Sequence, residues 1–377
     1  MMSQTADDSR SEAPTATASL APLTRPGGCP PPANICNEVA HYDERAVVGV
    51  WPGPRYRMKY RVLGSGPPLI WLPGIASTYR SYAIVLNQLA QRFTTIQYAY
   101  PGDEAGDGAR LGRITHDHLV DDLWGLIEHL GLREAIPVGI SFGSTIVLKA
   151  LAREVCRFPR AVIQGGFARR RFTTPERLAL FLGRLMPGTA ARLPLRKKIL
   201  AYNSRLDFHW VIEDRWPFYL EQNGLTPIKA LAHRSSLLAR LDLRAELARI
   251  ESRVLLVQGR DDRIVPHRYF EELQAALPRA EGVLLPTVGH IPHLTHAEAL
   301  ARVIGDWLLP CSPDRCPADP AAASAGCTGN PAAASGGCAT NSTAASGGCT
   351  VAGSSCPGQL ASCSLTDARP PGQEALA

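Results

Sequence analysis

This sequence has no long apolar run. Its most apolar stretches, such as residues 67–72, are far too short to span a bilayer. The first eight residues, Met-Met-Ser-Gln-Thr-Ala-Asp-Asp, are polar and lack the apolar stretch that a secretory signal requires. The sequence therefore predicts a soluble, cytoplasmic protein with no membrane span.

Cysteine is scarce in the part of the chain that can fold. Of the ten cysteines, only Cys156 lies between residues 45 and 309, which argues against a disulfide scaffold there. The net charge of +6 is small for 377 residues and gives no indication of nucleic-acid binding. The charge is unevenly placed, because residues 168–200 hold nine Arg or Lys and a single acid, Glu176. A local basic segment of this kind is more informative about binding partners than the net charge of the whole chain is.

Composition divides the chain into three parts. Residues 1–44 are rich in Pro and low in hydrophobicity, which predicts a disordered N-terminal arm. Residues 45–309 have the composition of a folded domain. Residues 310–377 are mostly small and include an 11-residue near-repeat that carries cysteine, so they bury too little apolar area to offset the entropy of ordering. This predicts a disordered tail, whose cysteines could bind a soft metal or cross-link, or could simply belong to an expanded low-complexity segment.

Strand and helix patterns alternate along the middle part. Strand patterns occur at residues 46–50, 56–62, 68–72, 94–98, 135–139, 161–164, 253–258 and 282–285, and several of them are short apolar runs typical of strands buried on both faces. Helical patterns lie between or after them, at residues 79–92, 117–130, 142–156, 267–277 and 297–309. This alternation predicts an α/β fold with a mostly parallel sheet of about eight strands flanked by helices.

One segment interrupts the alternation. Residues 168–250 contain no strand pattern, and their helical patterns fall at residues 175–185, 193–203, 209–222 and 227–241. The segment is therefore predicted to be a helical insertion between two strands, which in a hydrolase would form a cap over the active site.

The pentapeptide Gly139-Ile140-Ser141-Phe142-Gly143 lies between a predicted strand and a predicted helix. A G-x-S-x-G sequence in this position is typical of a nucleophile elbow. The turn is so sharp that side chains at Gly139 and Gly143 would meet neighbouring backbone. The following helix N-terminus favours developing negative charge. The pattern predicts that Ser141 is a nucleophile.

A serine nucleophile needs a base, which in turn needs an orienting acid. Two later segments supply candidates, each directly after a predicted strand. The first is GRDDRIVP, with Asp261 and Asp262, and the second is VGHIPH, with His290 and His293. Because the carboxyl ends of parallel strands meet at one sheet edge, these side chains are expected near Ser141.

These motifs resemble those of the α/β-hydrolase superfamily, in its esterase/lipase-like branch. The resemblance covers roughly residues 45–309 and rests on LPGIAS, GISFG, GRDDRIVP and VGHIPHL, in that order. It implies that Ser141 is the nucleophile and His290 the base. The family's acid stands just before x-I-V-P, which here is Asp262, with Asp261 as the alternative.

The resemblance also implies an oxyanion hole of two backbone N–H groups. One belongs to Phe142, directly after the nucleophile. The other is expected from Ile75, where relatives often have His-Gly and this chain has Pro73-Gly74-Ile75-Ala76. No cofactor and no metal are expected.

The sequence leaves several functions open. The leading hypothesis is hydrolysis of a small-molecule carboxylic ester through an acyl-enzyme. An acyltransferase, a C–C bond hydrolase or a cofactor-free haloperoxidase-like enzyme would use the same three residues, and a non-catalytic binding protein on the same scaffold is the remaining class. The basic cap could recognise an acidic substrate or carrier protein, or be a solvated face. Four aromatic residues could line an acyl pocket or pack within the cap: Trp210, Trp216, Phe218 and Tyr219.

Overall fold

The computed structural model describes residues 33–154, 157–204 and 212–309. The compact unit described below begins at Asn34. The predicted disordered tail, residues 310–377, lies outside the described residues, as does Cys156.

An eight-stranded sheet forms the centre of the fold. The strands are β1 (Val47–Pro52), β2 (Arg57–Leu63), β3 (Pro68–Leu72), β4 (Thr94–Tyr98), β5 (Ile136–Ile140), β6 (Arg160–Gln164), β7 (Arg253–Gly259) and β8 (Ala280–Leu285). Their order in the sheet is β1-β2-β4-β3-β5-β6-β7-β8. The pairs β1–β2 and β2–β4 are antiparallel, and all the others are parallel. The predicted eight-stranded, mostly parallel sheet is confirmed.

Helices cover both faces of this sheet because its central strands are apolar on both sides. Every residue of β5 is buried, as are the last four of β3. Outside the segment between β6 and β7, the helices are α1 (Ile35–Arg45), α2 (Ala83–Leu89), α3 (His116–His129), α4 (Phe142–Arg153), α9 (Arg268–Ala276), α10 (Pro292–Thr295) and α11 (Ala297–Leu308). None of the described helices is long and apolar enough to cross a bilayer.

Helix α1 corrects the predicted N-terminal boundary. The arm was predicted to be disordered through residue 44, but residues 35–45 form a helix that buries Ile35, Val39 and Tyr42. These residues are spaced by four and three, so they share one face of the helix. The Asn34 side chain caps the helix by accepting a hydrogen bond from the Asn37 N–H at 3.1 Å. The folded domain therefore begins about ten residues earlier than composition indicated.

The segment between β6 and β7, called here the insertion, is helical in its described residues. It contains α5 (Thr174–Gly183), α6 (Arg196–Ser204), α7 (Ile212–Leu225) and α8 (Ile228–Leu238). The chain leaves the sheet and returns to it at one narrow neck, where the Leu243 N–H donates to the Ala168 carbonyl at 3.1 Å. An isolated antiparallel bridge joins Arg169 and Asp242 at the same place.

Candidate active site

Ser141 lies at the junction of β5 and α4, in a strained backbone conformation. Its φ is 50° and its ψ is −107°, a combination that is rare for a residue with a side chain. The Ser141 N–H donates to the carbonyl of Gln164 at 2.9 Å, which ties the turn to the end of β6. This strain is typical of residues that a fold holds in place for function.

The two glycines of the turn are sterically required. A Cβ on Gly139 would lie 2.6 Å from the Ser144 Cα, and a Cβ on Gly143 would lie 2.2 Å from the Leu72 carbonyl oxygen. Both obstacles are backbone atoms, which cannot rotate away as the end of a side chain could. The turn can therefore form only with glycine at both positions.

His290 contacts both other predicted site residues. Its Nε2 lies 2.9 Å from the Ser141 Oγ, and its Nδ1 lies 2.6 Å from an Asp262 carboxylate oxygen. An ionised carboxylate only accepts hydrogen bonds, so Nδ1 carries a proton and Nε2 is free to accept the serine proton. The arrangement can remove that proton as the oxygen attacks an electrophile.

The Asp262 carboxylate is fixed by four contacts. Its Oδ1 accepts from the N–H groups of Ile264 and Val265 at 2.9 and 2.7 Å. Its Oδ2 accepts from the Gln258 amide at 3.1 Å and also contacts His290 Nδ1. Asp261, the alternative acid, is exposed, and the structure brings Asp262 rather than Asp261 to the histidine.

The sequence motifs did not identify every residue that shapes this site. A Cβ on Gly165, just after β6, would lie 3.1 Å from the His290 ring and 3.7 Å from the Asp262 carboxylate. Gly165 also has a φ of 58°, so both space and backbone favour glycine there. The Gln258 amide, which additionally donates to the Val265 carbonyl at 2.7 Å, was not predicted either. Neither residue belongs to a recognisable local pattern.

The loop after β3 brings Ile75 to the same cavity as Ser141 and Phe142. Tyr82 accepts a hydrogen bond from the Gly74 N–H at 2.8 Å, and Tyr100 donates to the Pro73 carbonyl at 3.0 Å. Phe142 is the first residue of α4, so its N–H has no partner within the helix. Ile75 and Phe142 therefore both lie at the wall of the cavity that holds Ser141.

Polar side chains of the insertion hold this loop from the other side. Arg234 of α8 is buried, donates to the Ile75 carbonyl at 2.7 Å and pairs with Asp103. Asn223 of α7 donates to the Ala76 carbonyl at 3.3 Å. The insertion therefore supports the loop that carries the Ile75 N–H.

The cavity around Ser141 has a volume of about 170 Å³. Its wall is mainly apolar, and the insertion supplies Leu200, Tyr219 and Leu238. Of the four aromatic residues singled out in the sequence, Tyr219 lines this cavity, whereas Trp210 lies outside the described residues. From the basic segment, Arg170 reaches the cavity wall.

Two buried histidines lie close to this site. Burial lowers the pKa of His293 to about 3, with the charge of His290 acting in the same direction. Burial also lowers the pKa of His116 to about 3, with the Lys149 charge as the next contribution. His116 Nε2 lies 2.9 Å from the Thr145 hydroxyl, which itself donates to the Phe142 carbonyl. Both imidazole rings are therefore neutral in the folded protein near neutral pH.

We expect the free energy of unfolding to fall as the pH decreases from about 6.5 towards 3. In this range the unfolded chain protonates these histidines and the folded chain does not, so acid favours unfolding by up to about 1.4 kcal/mol per pH unit for each ring. Urea unfolding at several pH values should show a shallower acid slope for His116→Gln. The exposed His41 provides the control, because His41→Gln should keep the wild-type slope. Equal slopes in all three proteins would contradict this account.

Known proteins share this fold and parts of this sequence. A family model described as the alpha/beta hydrolase fold matches residues 67–297. A Pseudomonas savastanoi pv. phaseolicola protein named as a proposed carbamate hydrolase, RutD, is 26% identical over 262 residues, which cover 64% of this chain and 93% of that protein. A pimeloyl-(acyl-carrier protein) methyl ester esterase of Nitrosomonas europaea is 28% identical over 243 residues, covering 62% of this chain and 93% of the relative.

Solved structures agree on the fold. A thermophilic esterase from Thermogutta terrifontis superposes with a TM-score of 0.61 at 19% identity, over 70% of this chain and 98% of the esterase. At this identity the likeness concerns the fold alone. The family model covers more than half of the chain and includes the nucleophile turn and the acid and histidine segments. The chain therefore belongs to the alpha/beta hydrolase fold family.

Proposed function

We propose that the protein is a serine hydrolase that cleaves a carboxylic ester through an acyl-enzyme intermediate. Ser141 is the nucleophile, His290 the general base and Asp262 the group that orients His290. The N–H groups of Ile75 and Phe142 form the oxyanion hole. The observation that carries this proposal is the pair of contacts made by His290, 2.9 Å to the Ser141 oxygen and 2.6 Å to Asp262.

The reaction proceeds in two halves. His290 removes the Ser141 hydroxyl proton while the serine oxygen attacks the ester carbonyl carbon, and the carbonyl oxygen becomes an oxyanion. The oxyanion collapses, the bond to the alcohol oxygen breaks, and His290 gives its proton to the departing alkoxide. Water then attacks the acyl-enzyme with His290 again as base, which releases the acid and restores Ser141. No cofactor takes part in these steps.

The cavity wall indicates the kind of substrate. A dry cavity of about 150 Å³ in another protein accommodates benzene, so the 170 Å³ here can enclose a compact group of similar size. Apolar side chains from the core and from the insertion form most of the wall, which favours an uncharged reacting end. The names of the relatives, an ester hydrolase and a carbamate hydrolase, support acyl chemistry at such a site.

Purified full-length protein tests this function directly. We expect hydrolysis of p-nitrophenyl butyrate and stoichiometric labelling of Ser141 by a fluorophosphonate probe, located by peptide mass analysis. Hydrolysis of a matched p-nitrophenyl carbamate would extend the substrate class. A folded wild-type protein that neither turns over these compounds nor reacts with the probe would favour a non-catalytic binding protein.

Arg234 provides a further prediction, since it bonds the carbonyl of the residue whose N–H we assign to the oxyanion hole. Arg234→Gln should lower kcat by about 10²-fold, close to the loss of one oxyanion donor, with little change in KM. Arg234→Lys retains the charge opposite Asp103 and should recover part of the loss. Circular dichroism and Tm would be measured on both variants. A positioning role would be contradicted if Arg234→Gln raised KM by as large a factor as it lowered kcat. It would also be contradicted if Arg234→Lys lost as much kcat as Arg234→Gln at an unchanged Tm.

A further inference from the structure

Helix α5 of the insertion and the turn that follows it carry large apolar side chains that face solvent. Leu178, Phe181, Leu182 and Leu185 are each 51 to 68% exposed, and Met186 is 39% exposed. The first three are spaced by three and four residues, so they share one face of the helix. The opposite side of α5 is anchored, because a Cβ on Gly183 would meet Ala232 of α8 at 3.1 Å. Packing among the residues that the structure describes therefore does not explain this exposed apolar face.

Arginines surround this apolar face. Phe181 shares one surface depression with Arg177, Arg184 and Arg240. An adjoining depression is lined by Arg177 and Arg240 together with Arg169, Arg170 and Arg171. The sequence from residue 177 to residue 202 contains six Arg or Lys and no acid. We call the apolar residues of α5 and the following turn, with these arginines, the basic apolar face.

Most of these arginines form no ion pair among the residues that the structure describes. Asp242, the acid in the second depression, pairs with Arg169 at 3.2 Å and with Arg244 at 2.7 Å. Within the described chain, no ion pair to a carboxylate involves the remaining arginines, Arg170, Arg171, Arg177, Arg184 and Arg240. Burial and the nearby charges of Arg234, Arg184 and Arg240 lower the pKa of His233 to about 4, which agrees with a positive field here.

The basic apolar face continues to the catalytic cavity. Arg170 lines both the arginine-rich depression and the cavity that holds Ser141. Arg170 therefore links the arginine-rich depression to the wall of the cavity that holds Ser141.

We propose that the basic apolar face docks the protein onto an anionic lipid surface. Exposed apolar side chains bordered by Arg and Lys are the features that let a helix lie in the headgroup region, where apolar groups insert and cations meet lipid phosphates. A second copy of the chain is the poorer occupant, because a twofold contact would place two faces of the same charge against each other. The docking itself does not depend on ester hydrolysis, and only the consequence that a membrane-borne ester reaches Ser141 rests on the proposed function.

Vesicle co-sedimentation with the full chain tests this docking without any activity measurement. We expect binding to phosphatidylcholine vesicles that contain about a third phosphatidylglycerol, weak binding to pure phosphatidylcholine, and release at high salt, which screens the attraction. Phe181→Ser/Leu185→Ser should weaken binding about a hundred-fold, since each side chain loses its apolar insertion. Arg177→Gln/Arg184→Gln should weaken it about thirty-fold.

Matched controls lie on the exposed edge of the sheet and elsewhere on the surface. Val47→Ser/Val50→Ser removes two exposed apolar side chains from β1, and Arg113→Gln/Arg302→Gln removes two exposed arginines outside the insertion. Both should bind vesicles as the wild type does, and all four variants should keep the wild-type Tm. Wild-type protein that stays in the supernatant with anionic vesicles would overturn the proposal. So would a dimer that Phe181→Ser/Leu185→Ser dissociates without any vesicle binding, or equal losses in test and control variants.

Discussion

Ser141→Ala should lower kcat for p-nitrophenyl butyrate by about 10⁶-fold, the loss found when the serine of a comparable triad is removed. The Ser141 Oγ is the only hydroxyl that His290 contacts within the described residues, at 2.9 Å. Fluorophosphonate labelling should disappear in the same variant. The remaining activity should still exceed that of water, because the Ile75 and Phe142 N–H groups and the cavity are unchanged.

Ser144→Ala is the matched control for this loss. Ser144 lies three residues further along the same turn, and its hydroxyl donates to the Ser141 carbonyl rather than contacting His290. Removing one hydrogen bond of this kind should change kcat by no more than about tenfold. Probe labelling that survives in Ser141→Ala, or a similar loss of activity in both variants, would show that another residue is the nucleophile.

Asp262→Asn should lower kcat by about 10⁴-fold, as expected when a triad acid becomes an amide. The Asn oxygen would still accept from the Ile264 and Val265 N–H groups. Its NH₂ group would then face two donors, the Gln258 amide and His290 Nδ1. The histidine would have to move its proton to Nε2, where it can no longer accept the Ser141 proton.

The neighbouring aspartate supplies the control. Asp261 is exposed, and its backbone N–H, which donates to the Val288 carbonyl at 2.9 Å, survives replacement of the side chain. Asp261→Asn should therefore keep nearly all of the wild-type kcat. Equal losses in the two variants would undo the assignment of Asp262 as the orienting acid.

Local sequence signals predicted the central strands well. The apolar run of β3 is bounded by Pro67 and Pro73, and the predicted ends of β3 and β4 agree with the structure at residues 68–72 and 94–98. Helix α1 was missed because the prolines before it dominate the composition, although Ile35, Val39 and Tyr42 already have helical spacing. The predicted helix at residues 79–92 begins as a 3-10 turn, Tyr79–Tyr82, and ends as α2 at Leu89.

The site residues that stand in a local sequence motif could be predicted, whereas those that act through contacts with distant segments could not. Ser141, Asp262 and His290 each stand in a short recognisable segment after a strand. Arg234 and Ile75 are 159 residues apart, and nothing near either residue indicates their contact. Gly165 leaves room for the ring of His290, which comes from a much later segment of the chain.

The narrow neck at Ala168 and Leu243 bears on how the insertion could be replaced by a different one during evolution. Because the insertion begins and ends at one hydrogen-bonded point, it can be exchanged as a cassette with little effect on the strand order of the sheet. The exchange would not be neutral, since Arg234 and Asn223 would leave with it and the Ile75 loop would lose two of its supports. A new lining for the cavity beside Ser141 and new support for the Ile75 loop would therefore have to arise together, in the same piece of chain.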